Sequence, residues 1–530
     1  MLTTSLQFFH EVPKLRSMRP ASFLICVAVL VLTISTALGR NVLLVIADDL
    51  GTDGLAAFNT NANASVPATP TIDALVRRGV RFVNAYGYPV CSPTRSAILT
   101  GRYGFRTGVA QVVGGAGAPG VYTNEVTLPE ILATTHQCGS VGKWHLGSSA
   151  SAPNLAGGWP YFSGSLSAGL GANATGFYTW TKVSNGTVTM NYSAYATSDN
   201  VNDALAWLAG QGTNSWFLWL AFNAPHSPYH RPPTNLCPDY ADLSGAASDI
   251  QRNPRRYYEA AVQAMDTELG RLLRAIDTNK TTIFFIGDNG TPGNLIQPPF
   301  TAARGKDTLY EGGVRVPFVA AGPGIVNPGR TSDAVVHIVD LFATILDVSE
   351  SEAKVTAGAV PRDSRSLNAI LRDEPFRPDD EAILVENADP ISAANQPGRA
   401  VRRGEHKLIQ FANQAEEFYH LATDPLERTN LLRQALEPVH EANLAALRAK
   451  LNEWRNVPTL QNPIRAGQGF TVEAAWFANH NLSLWRTGEI AGTAWSRVPN
   501  ATEQVVGSLI RLADPDSASP NRAYYRVGHE

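Results

Sequence analysis

The chain of 530 residues contains little cysteine: Cys26, Cys91, Cys138 and Cys237 are its four residues of this type. So few cysteines exclude a small scaffold that is held together by many disulfides. Cys26 lies in the N-terminal apolar segment, and Cys91 lies in a motif described below. Cys138 and Cys237 could therefore form one disulfide, and only in an oxidising compartment.

The chain also lacks an excess of either charge, since 43 lysines and arginines face 46 aspartates and glutamates, for a formal net charge of −3. This balance gives no electrostatic basis for nucleic acid as a partner. Apolar residues make up 44% of the chain, which is enough for a large core and excludes a disordered protein. An anionic substrate would have to be bound by a few locally placed cations.

Beyond the N-terminus there is no apolar run long enough to span a membrane. The one long run, Ala21 to Ala37, follows basic residues and precedes small residues, an order typical of a secretory signal. We therefore predict a signal peptide over residues 1–39 and a secreted or periplasmic protein without stable membrane association. An uncleaved anchor is the alternative, because the run is nearly long enough to span a bilayer.

Three apolar segments are predicted as buried strands, and polar residues follow each of them. They are NVLLVIA before Asp48, SWFLWLAF before Asn223 and TTIFFIG before Asp288. Amphipathic helices are predicted at 69–79, 257–276 and 436–454. Strands that alternate with helices predict an α/β fold with a large mixed, mostly parallel sheet flanked by helices. In such sheets, ligands bind beyond the carboxyl ends of the strands.

Changes in composition predict three domains after the signal: a main α/β domain at 40–377, a smaller C-terminal α+β subdomain at 378–460, and a β-rich appendage of unknown role at 461–530. Residues 147–198 are predicted as an insertion of loops and short strands around the mouth of a site. Its aromatic residues either stack on sugars or fill the core of a loop: Trp159, Tyr161, Phe162, Tyr178 and Trp180.

Paired polar residues end two of the predicted strands, Asp48-Asp49 and Asp288-Asn289. Adjacent carboxylates repel each other unless a cation lies between them, although a single such pair is more often a helix cap or a solvated loop. Three carboxylates and an amide oxygen form a ligand set for a hard divalent cation. The repeated placement therefore favours a metal site, for Ca²⁺ or Mg²⁺.

The segment CSPTR, Cys91 to Arg95, allows two simple interpretations. A free cysteine is most often a small buried apolar residue. Alternatively, Cys91 is a thiolate nucleophile activated by Arg95. Neither interpretation explains why a secreted protein would keep this cysteine beside a metal site.

Four motifs in order resemble the type I sulfatases of the alkaline phosphatase-like superfamily: CSPTRSAILTGR, GKWHLG, APHSPYH and GKDTLYEGGVRVP. Together with the first strand, they extend the resemblance over about residues 41–432. The resemblance implies an alkaline phosphatase-like fold. It also implies that a formylglycine-generating enzyme oxidises Cys91 to 3-oxoalanine (formylglycine), whose hydrated aldehyde is the nucleophile.

The resemblance further assigns residues to the site. The Ca²⁺ ligands it implies are Asp48, Asp49, Asp288, Asn289 and the modified Cys91. The catalytic groups it implies are Cys91, Arg95, Lys143, His145, His226 and Lys306. His136, His230 and His337 lie outside the matching positions.

The implied activity is hydrolysis of sulfate monoesters, either aryl sulfates or sulfated carbohydrates, so the implied partner is a sulfated small molecule or glycan. Two alternatives stay open: a phosphodiesterase or phosphonate monoester hydrolase of the same superfamily, and a secreted glycan-binding protein that has lost its activity. The chain departs from the family pattern at Thr135 to Cys138 and after about Gln461.

Overall fold

A computed structural model describes most of the chain after the predicted signal. With side chains it describes residues 41–59, 61–114, 120–123, 125–351, 362–376, 382–388 and 397–454; from 455 onward it describes only backbone, mainly of short strands that end at residue 529. The predicted signal peptide, 1–39, lies outside the described residues, so secretion stays a prediction. Among the described helices, none combines the length and apolarity needed to cross a membrane.

The described strands alternate with helices through the first three quarters of the chain. The strands are β1 (Asn41–Ala47), β2 (Gly79–Phe82), β3 (Ala85–Tyr86), β4 (Gln137–Lys143), β5 (Tyr161–Ser165), β6 (Thr179–Ser184), β7 (Thr187–Ser193), β8 (Trp216–Ala221), β9 (Thr281–Gly287), β10 (Phe318–Ala321), β11 (Arg330–Ser332), β12 (Val336–His337), β13 (Ala382–Asn387), β14 (Gly398–Arg403), β15 (His406–Phe411) and β16 (Glu416–His420). The α-helices are α1 (Pro70–Arg77), α2 (Cys91–Thr100), α3 (Gly104–Thr107), α4 (Leu128–Leu132), α5 (Ala152–Leu155), α6 (Ala196–Ala209), α7 (Ala247–Arg252), α8 (Pro254–Leu273), α9 (Glu311–Val314), α10 (Leu341–Val348), α11 (Asn368–Leu371) and α12 (Pro438–Arg455).

A ten-stranded mixed sheet lies at the centre, in the order β11-β2-β10-β9-β1-β8-β4-β5-β6-β7. The five strands from β9 to β5 are mutually parallel, and antiparallel pairs flank them on both sides. The predicted mixed, mostly parallel sheet is therefore confirmed. The three strands predicted from apolar runs are β1, β8 and β9, which are neighbours at its centre.

The register of these strands sets where the site lies. Ala47 of β1 lies opposite Gly287 of β9, and Ala221 of β8 lies opposite both Ile46 and Gly142. Because the strands are parallel, their carboxyl ends meet at one edge of the sheet. The residues that follow them, Asp48, Asp288, Asn223 and Lys143, therefore come together at that edge.

Alternate side chains of β1 point to opposite faces of the sheet and enter two separate cores. Val42, Leu44 and Ile46 pack on the face that α2 and α10 cover. Leu43 and Val45 pack on the face that α1 and α8 cover. All five are fully buried, which explains why the sequence shows an unbroken apolar run rather than alternation.

The predicted helices are confirmed with small shifts of their ends. Helix α1 begins at Pro70 after Thr69 and ends before Gly79, although the Thr69 side chain forms no capping hydrogen bond. Helix α8 begins at Pro254, three residues before the predicted start. Proline favours the first turn of a helix because its missing N–H needs no partner there.

Residues 147–198 were predicted as an insertion, and this prediction is only partly correct. The segment forms β5, β6 and β7, which extend the central sheet to its edge at β7. Trp159 and Phe162 belong to the main core, and the Trp159 ring lies 5.5 Å from that of Phe217. These two aromatic residues therefore fill the core and do not face a sugar.

A second, antiparallel sheet of β13, β14, β15 and β16 follows the main one. Helix α12 covers one face of it through Leu444, Leu447, Leu451 and Trp454. Further along, the backbone forms strands β17 (Leu460–Ala466), β18 (Gly469–Ala475), β19 (Leu482–Thr487), β20 (Ser496–Arg497), β21 (Thr502–Val506), β22 (Leu509–Asp514) and β23 (Tyr524–His529). The C-terminal α+β character and the β-rich end are thus present, while the domain boundaries stay predictions.

The possible disulfide between Cys138 and Cys237 does not form. Both residues are buried free thiols. The Cys138 thiol lies 3.8 Å from the Pro129 carbonyl oxygen, and the Cys237 thiol lies 3.5 Å from that of Pro233. Each sulfur therefore behaves as a small buried apolar group.

We expect dithiothreitol to leave the melting temperature unchanged, because no disulfide among the described residues contributes to stability. Differential scanning fluorimetry with and without the reductant measures this. A clear fall in melting temperature on reduction would contradict the free-thiol state of Cys138 and Cys237.

Candidate active site

Four polar residues meet where β1 and β9 end. The backbone N–H of Asp49 donates to Asp288 Oδ1 at 3.0 Å, and Asn289 Nδ2 donates to Asp49 Oδ1 at 2.8 Å. Asp48, Asp288 and Asn289 are fully buried and Asp49 nearly so. Asp49 adopts a φ of +66°, a left-handed conformation that side chains other than glycine seldom occupy. The predicted ligand set is therefore assembled in one place.

The donor set fits a hard divalent cation. Asn289 Oδ1 is buried and has no hydrogen-bond partner among the described residues. Burial and the neighbouring carboxylate of Asp48 raise the pKa of Asp288 to about 6. A divalent cation would accept the unpaired amide oxygen and would stabilise the crowded carboxylates. Metal-ligand atoms of Asp48, Asp49, Cys91 and His226 also lie within 4.8 Å of one another.

Cys91 is the first residue of α2 and is 2% exposed. Its sulfur lies 3.3 Å from Asp48 Oδ1 and 3.9 Å from Asp49 Oδ1. Burial, followed by the charge of Asp48, raises the pKa of the Cys91 thiol well above its ordinary value. An unmodified Cys91 would therefore stay protonated, which disfavours the thiolate interpretation.

Two lysines reach the same sulfur, one from the end of β4 and one from a loop. Lys143 Nζ, at the end of β4, lies 3.5 Å from Cys91 Sγ and 2.6 Å from Asp48 Oδ2. Lys306 Nζ lies 4.0 Å from Cys91 Sγ and 2.6 Å from Asp49 Oδ1. Burial alone would lower the pKa of Lys306, but the charge of Asp49 and other neighbours holds it well above its ordinary value. Lys306 therefore carries a proton at neutral pH.

Arg95 lies one turn into α2 with its guanidinium fully buried. Its Nη2 and Nε donate to Asp288 Oδ2 at 2.8 and 3.2 Å, and its Nη1 donates to the Lys143 carbonyl oxygen at 2.9 Å. Arg95 therefore ties Asp288, a predicted metal ligand, to the end of β4.

His145 lies just after β4, and its tautomer follows from its partner. His145 Nε2 lies 3.1 Å from the Val113 carbonyl oxygen, which can only accept, so Nε2 carries the hydrogen. His145 Nδ1 is then a bare nitrogen, and it is buried without a partner among the described residues. Burial, followed by the charges of Lys143 and Arg95, lowers the pKa of His145 well below its ordinary value.

His226 follows β8 and faces the metal ligands. Its Nδ1 donates to the Ser227 carbonyl oxygen at 2.6 Å, and its Nε2 lies 3.7 Å from Asp49 Oδ2. Burial lowers the pKa of His226 to about 4, although Asp49 opposes that shift. His226 is therefore neutral at neutral pH, in contrast to Lys306.

Two hydroxyls within the CSPTR motif support the site, and no role was predicted for them from the sequence. Ser92 Oγ donates to the His145 carbonyl oxygen at 2.9 Å and accepts from the Val113 N–H at 3.0 Å. Thr94 Oγ1 donates to the Asp288 carbonyl oxygen at 2.7 Å. The signal in the sequence for these two hydroxyls was their place in the CSPTR motif. In the structure, α2 turns both side chains toward neighbouring loops.

The three histidines to which the resemblance assigns no role lie elsewhere. The His230 ring stacks on Phe177 at 3.9 Å, with burial that lowers its pKa to about 4. His337 lies between the rings of Tyr88 and Tyr103, and His136 is buried near the start of β4. These contacts place His230 and His337 among aromatic rings, in surroundings unlike those of His145 and His226.

The fold and the site together define an α/β protein of the alkaline phosphatase-like class. A family model described as Sulfatase matches residues 40–351, and one described as N-sulphoglucosamine sulphohydrolase, C-terminal, matches residues 304–456. The chain belongs to the sulfatase family.

Relatives and solved structures agree with this membership. Human N-acetylgalactosamine-6-sulfatase is 28% identical over 62% of this chain and 64% of its own length. A sulfatase of Formosa agariphila is 26% identical over 79% of this chain and 90% of its own length. The crystal structure of Ps i-CgsB in complex with k-i-k-neocarrahexaose has a TM-score of 0.65 and 24% identity, and the match covers 78% of this chain and 92% of that one.

This chain spans about 64% of the length of the human relative. These similarities therefore show family membership and fold.

Proposed function

We propose that this protein hydrolyses sulfate monoesters with a formylglycine formed from Cys91 and a bound divalent cation, Ca²⁺. The observation that carries the proposal is the surroundings of Cys91. Two carboxylates and two lysine ammonium groups lie within 4.0 Å of its sulfur, and each carboxylate pairs with one of the ammonium groups. The sulfur marks the place that the oxygens of the hydrated aldehyde would take.

Five groups would hold the cation: Asp48, Asp49, Asp288, Asn289 and the modified residue 91. When bound, such a cation supplies positive charge for sulfate oxygens and lowers the pKa of a hydroxyl that touches it. Arg95 keeps Asp288 in place through its buried contacts. Lys143 and Lys306 supply the local positive charge that a chain of nearly balanced net charge needs to bind an anionic ester.

In the proposed reaction, one hydroxyl of the hydrated aldehyde releases its proton to solvent and attacks sulfur, and the bond between sulfur and the alcohol oxygen breaks. The departing oxygen takes a proton, and we assign its donor to Lys306 because His226 is neutral. The second hydroxyl then loses its proton to His145 Nδ1 as the carbon–oxygen double bond forms and sulfate leaves. Water adds to the aldehyde and restores the diol.

Relatives support a sulfated carbohydrate as substrate, since N-acetylgalactosamine-6-sulfatase is named for one. The partners we propose are thus a sulfated glycan and, during maturation, a formylglycine-generating enzyme. Because Trp159 and Phe162 are buried in the core, the candidates for contact with the sugar move to the loop after β8. Tyr229 lies there; burial, followed by the charge of Asp49, raises the pKa of its phenol, and the charge of Lys306 opposes that shift.

Rates on para-nitrophenyl sulfate and bis(para-nitrophenyl) phosphate, measured side by side, test the proposed activity against a phosphodiesterase. We expect faster hydrolysis of the sulfate. A faster phosphodiester reaction would overturn the assignment, and tight binding of sulfated glycans without turnover would support the glycan-binding alternative.

We expect Lys306→Ala to slow phenyl sulfate more than para-nitrophenyl sulfate. General acid catalysis contributes about 10²–10⁴-fold, and its share is largest when the leaving oxygen is basic. Steady-state kcat/KM on both esters measures the difference, and Lys280→Ala, an exposed lysine, is the control. Equal slowing on both esters would assign Lys306 to binding instead of proton transfer.

A further inference from the structure

Lys306 lies in a short segment without strand structure, residues 304–314, here called the Lys306 segment. On one side the main domain holds its backbone: Lys306 N–H donates to the Thr291 carbonyl oxygen, and Asp307 N–H donates to that of Pro89, both at 2.9 Å. Asp307 has a φ of +72°, so the turn after Lys306 is a conformation that needs support from its surroundings.

The C-terminal sheet holds the same segment from the other side. Asn387, the last residue of β13, donates from Nδ2 to the Asp307 carbonyl oxygen at 2.9 Å. Tyr310 OH donates to Glu417 Oε2 at 2.7 Å, and Arg304 Nη1 donates to the Leu426 carbonyl oxygen at 2.7 Å. Polar contacts therefore reach the segment on both sides of Lys306.

A buried charge cluster forms the centre of this contact. Lys407 Nζ of β15 lies 3.0 Å from Glu311 Oε1 and 2.8 Å from Glu427 Oε1. The three side chains are 1–2% exposed. Glu311 N–H donates to Glu427 Oε2 at 2.7 Å, and Tyr86 OH donates to Glu311 Oε2 at 2.8 Å. Burial alone would raise the pKa of Glu311, but Lys407 and two arginines lower it to about 2, so Glu311 stays charged.

Apolar packing continues the same interface. Leu309 and Val314 share a core cluster with Ile383, Val385 and Ile409 of the C-terminal sheet. The segment is thus fixed to that sheet at both ends of its helical turn, α9.

Buried ion clusters are poor sources of net stability, because desolvation offsets most of their attraction. They do fix geometry, since each charged atom has few alternative partners.

We propose that Lys407 and Asn387 are positioning residues for Lys306: through Glu311 and the Asp307 carbonyl, they hold the Lys306 ammonium against residue 91 and Asp49. The C-terminal sheet thereby takes part in the reaction without contacting the substrate. The proposal rests on the proposed function only for the role of Lys306 in ester cleavage.

Lys407→Met tests it, with Lys182→Met as the matched control. Lys182 is also a buried lysine between two carboxylates, 2.6 Å from Asp199 and 2.7 Å from Asp203, but it joins β6 to α6. Both substitutions remove one charge from a triad, fully buried around Lys407 and partly buried around Lys182, so both should lower the melting temperature. A merely structural role predicts the same kinetic behaviour for the two variants.

We expect Lys407→Met to reproduce the leaving-group dependence of Lys306→Ala. A misplacement of about 1 Å can cost about 100-fold in rate, so we expect a loss of about that size on phenyl sulfate and a smaller one on para-nitrophenyl sulfate. In the double variant with Lys306→Ala, the Lys407 substitution should not further change the ratio of the rate on phenyl sulfate to the rate on para-nitrophenyl sulfate. Lys182→Met should slow both esters equally, if at all.

A second measurement needs no turnover. Acetic anhydride labelling followed by mass spectrometry reports the reactivity of Lys306, which its ion pair with Asp49 suppresses. We expect several-fold faster labelling of Lys306 in Lys407→Met than in wild type, and no change in Lys182→Met. If wild type fails to hydrolyse sulfate esters, the proposed function is wrong, and the labelling still decides the positioning role.

Asn387→Ala provides the same test if Lys407→Met does not fold, because it removes the hydrogen bond to the Asp307 carbonyl and no buried charge. It should increase Lys306 labelling and slow phenyl sulfate preferentially. Folded Lys407→Met and Asn387→Ala proteins with unchanged Lys306 labelling and equal slowing on both esters would overturn the proposal.

Discussion

Cys91→Ser is expected to complete at most one turnover and then to stall with sulfate bound to the serine. A serine hydroxyl can still attack sulfur, but it lacks the second hydroxyl whose deprotonation expels sulfate. Rapid-quench kinetics should show a burst equal to the enzyme concentration and no steady state. Intact-mass spectrometry should show the added sulfuryl group.

Two variants control this result. Cys91→Ala removes the nucleophile, and loss of a catalytic nucleophile costs on the order of 10⁶-fold in kcat in a serine protease, so no burst should appear. Cys138→Ser changes a buried thiol far from the reaction and should keep steady turnover.

In wild-type protein, residue 91 should react with hydrazide reagents once it is converted to the aldehyde. Activity should be proportional to the fraction of molecules that react. Full activity with an unmodified Cys91 thiol would refute the formylglycine mechanism.

Removal of the divalent cation should abolish activity and lower the melting temperature together. A cation present at 100 times its dissociation constant stabilises the folded state by about 2.7 kcal/mol, and chelation removes that contribution. Elemental analysis of the purified protein should find about one bound Ca²⁺. Undiminished activity in protein shown to be free of metal would contradict the cation site.

Asp288→Asn is the variant that isolates one ligand of this cation. Replacement by alanine would leave the Arg95 guanidinium buried without its carboxylate, and breaking a buried pair costs about 3–5 kcal/mol. Asparagine keeps the size of the side chain and an oxygen for Arg95. We expect Asp288→Asn to lose most activity and to bind Ca²⁺ more weakly by calorimetry. Asp199→Asn, at the buried Lys182 pair, should leave Ca²⁺ affinity unchanged.

The centre of the fold could be predicted because its signals are local. β1, β8 and β9 are fully apolar runs that end in polar residues, and parallel pairing brings those ends together without further information. The positions of Asp48 and Asp288 follow from this pattern alone. Arg95, Lys143 and Lys306 needed the motifs as well, because lysines and arginines are common on surfaces.

The remaining features depend on contacts that no local pattern encodes. The hydrogen on His145 Nε2 is fixed by the carbonyl of Val113, 32 residues earlier. Lys407 contacts Glu311, which lies 96 residues away in the sequence. Nothing in the sequence of β15 predicts that its lysine is buried against this partner. The short strands predicted in 147–198 are present, but their place in the central sheet was missed because glycine and serine are frequent in loops. Gly164 lies in β5, where a Cβ would clash with the Gly142 backbone.

The burial of Cys91 has a consequence for the timing of its oxidation. A thiol that is 2% exposed cannot enter the active site of a modifying enzyme, so oxidation has to precede closure of the fold. Closure needs Asp288, which follows Arg95 by 193 residues and forms the contacts that fix α2 against β9. At about 5–20 residues per second, the ribosome takes roughly 10–40 s to synthesise that stretch. The long separation between α2 and β9 therefore leaves the nascent chain open at Cys91 for that interval, and slower elongation should raise the converted fraction.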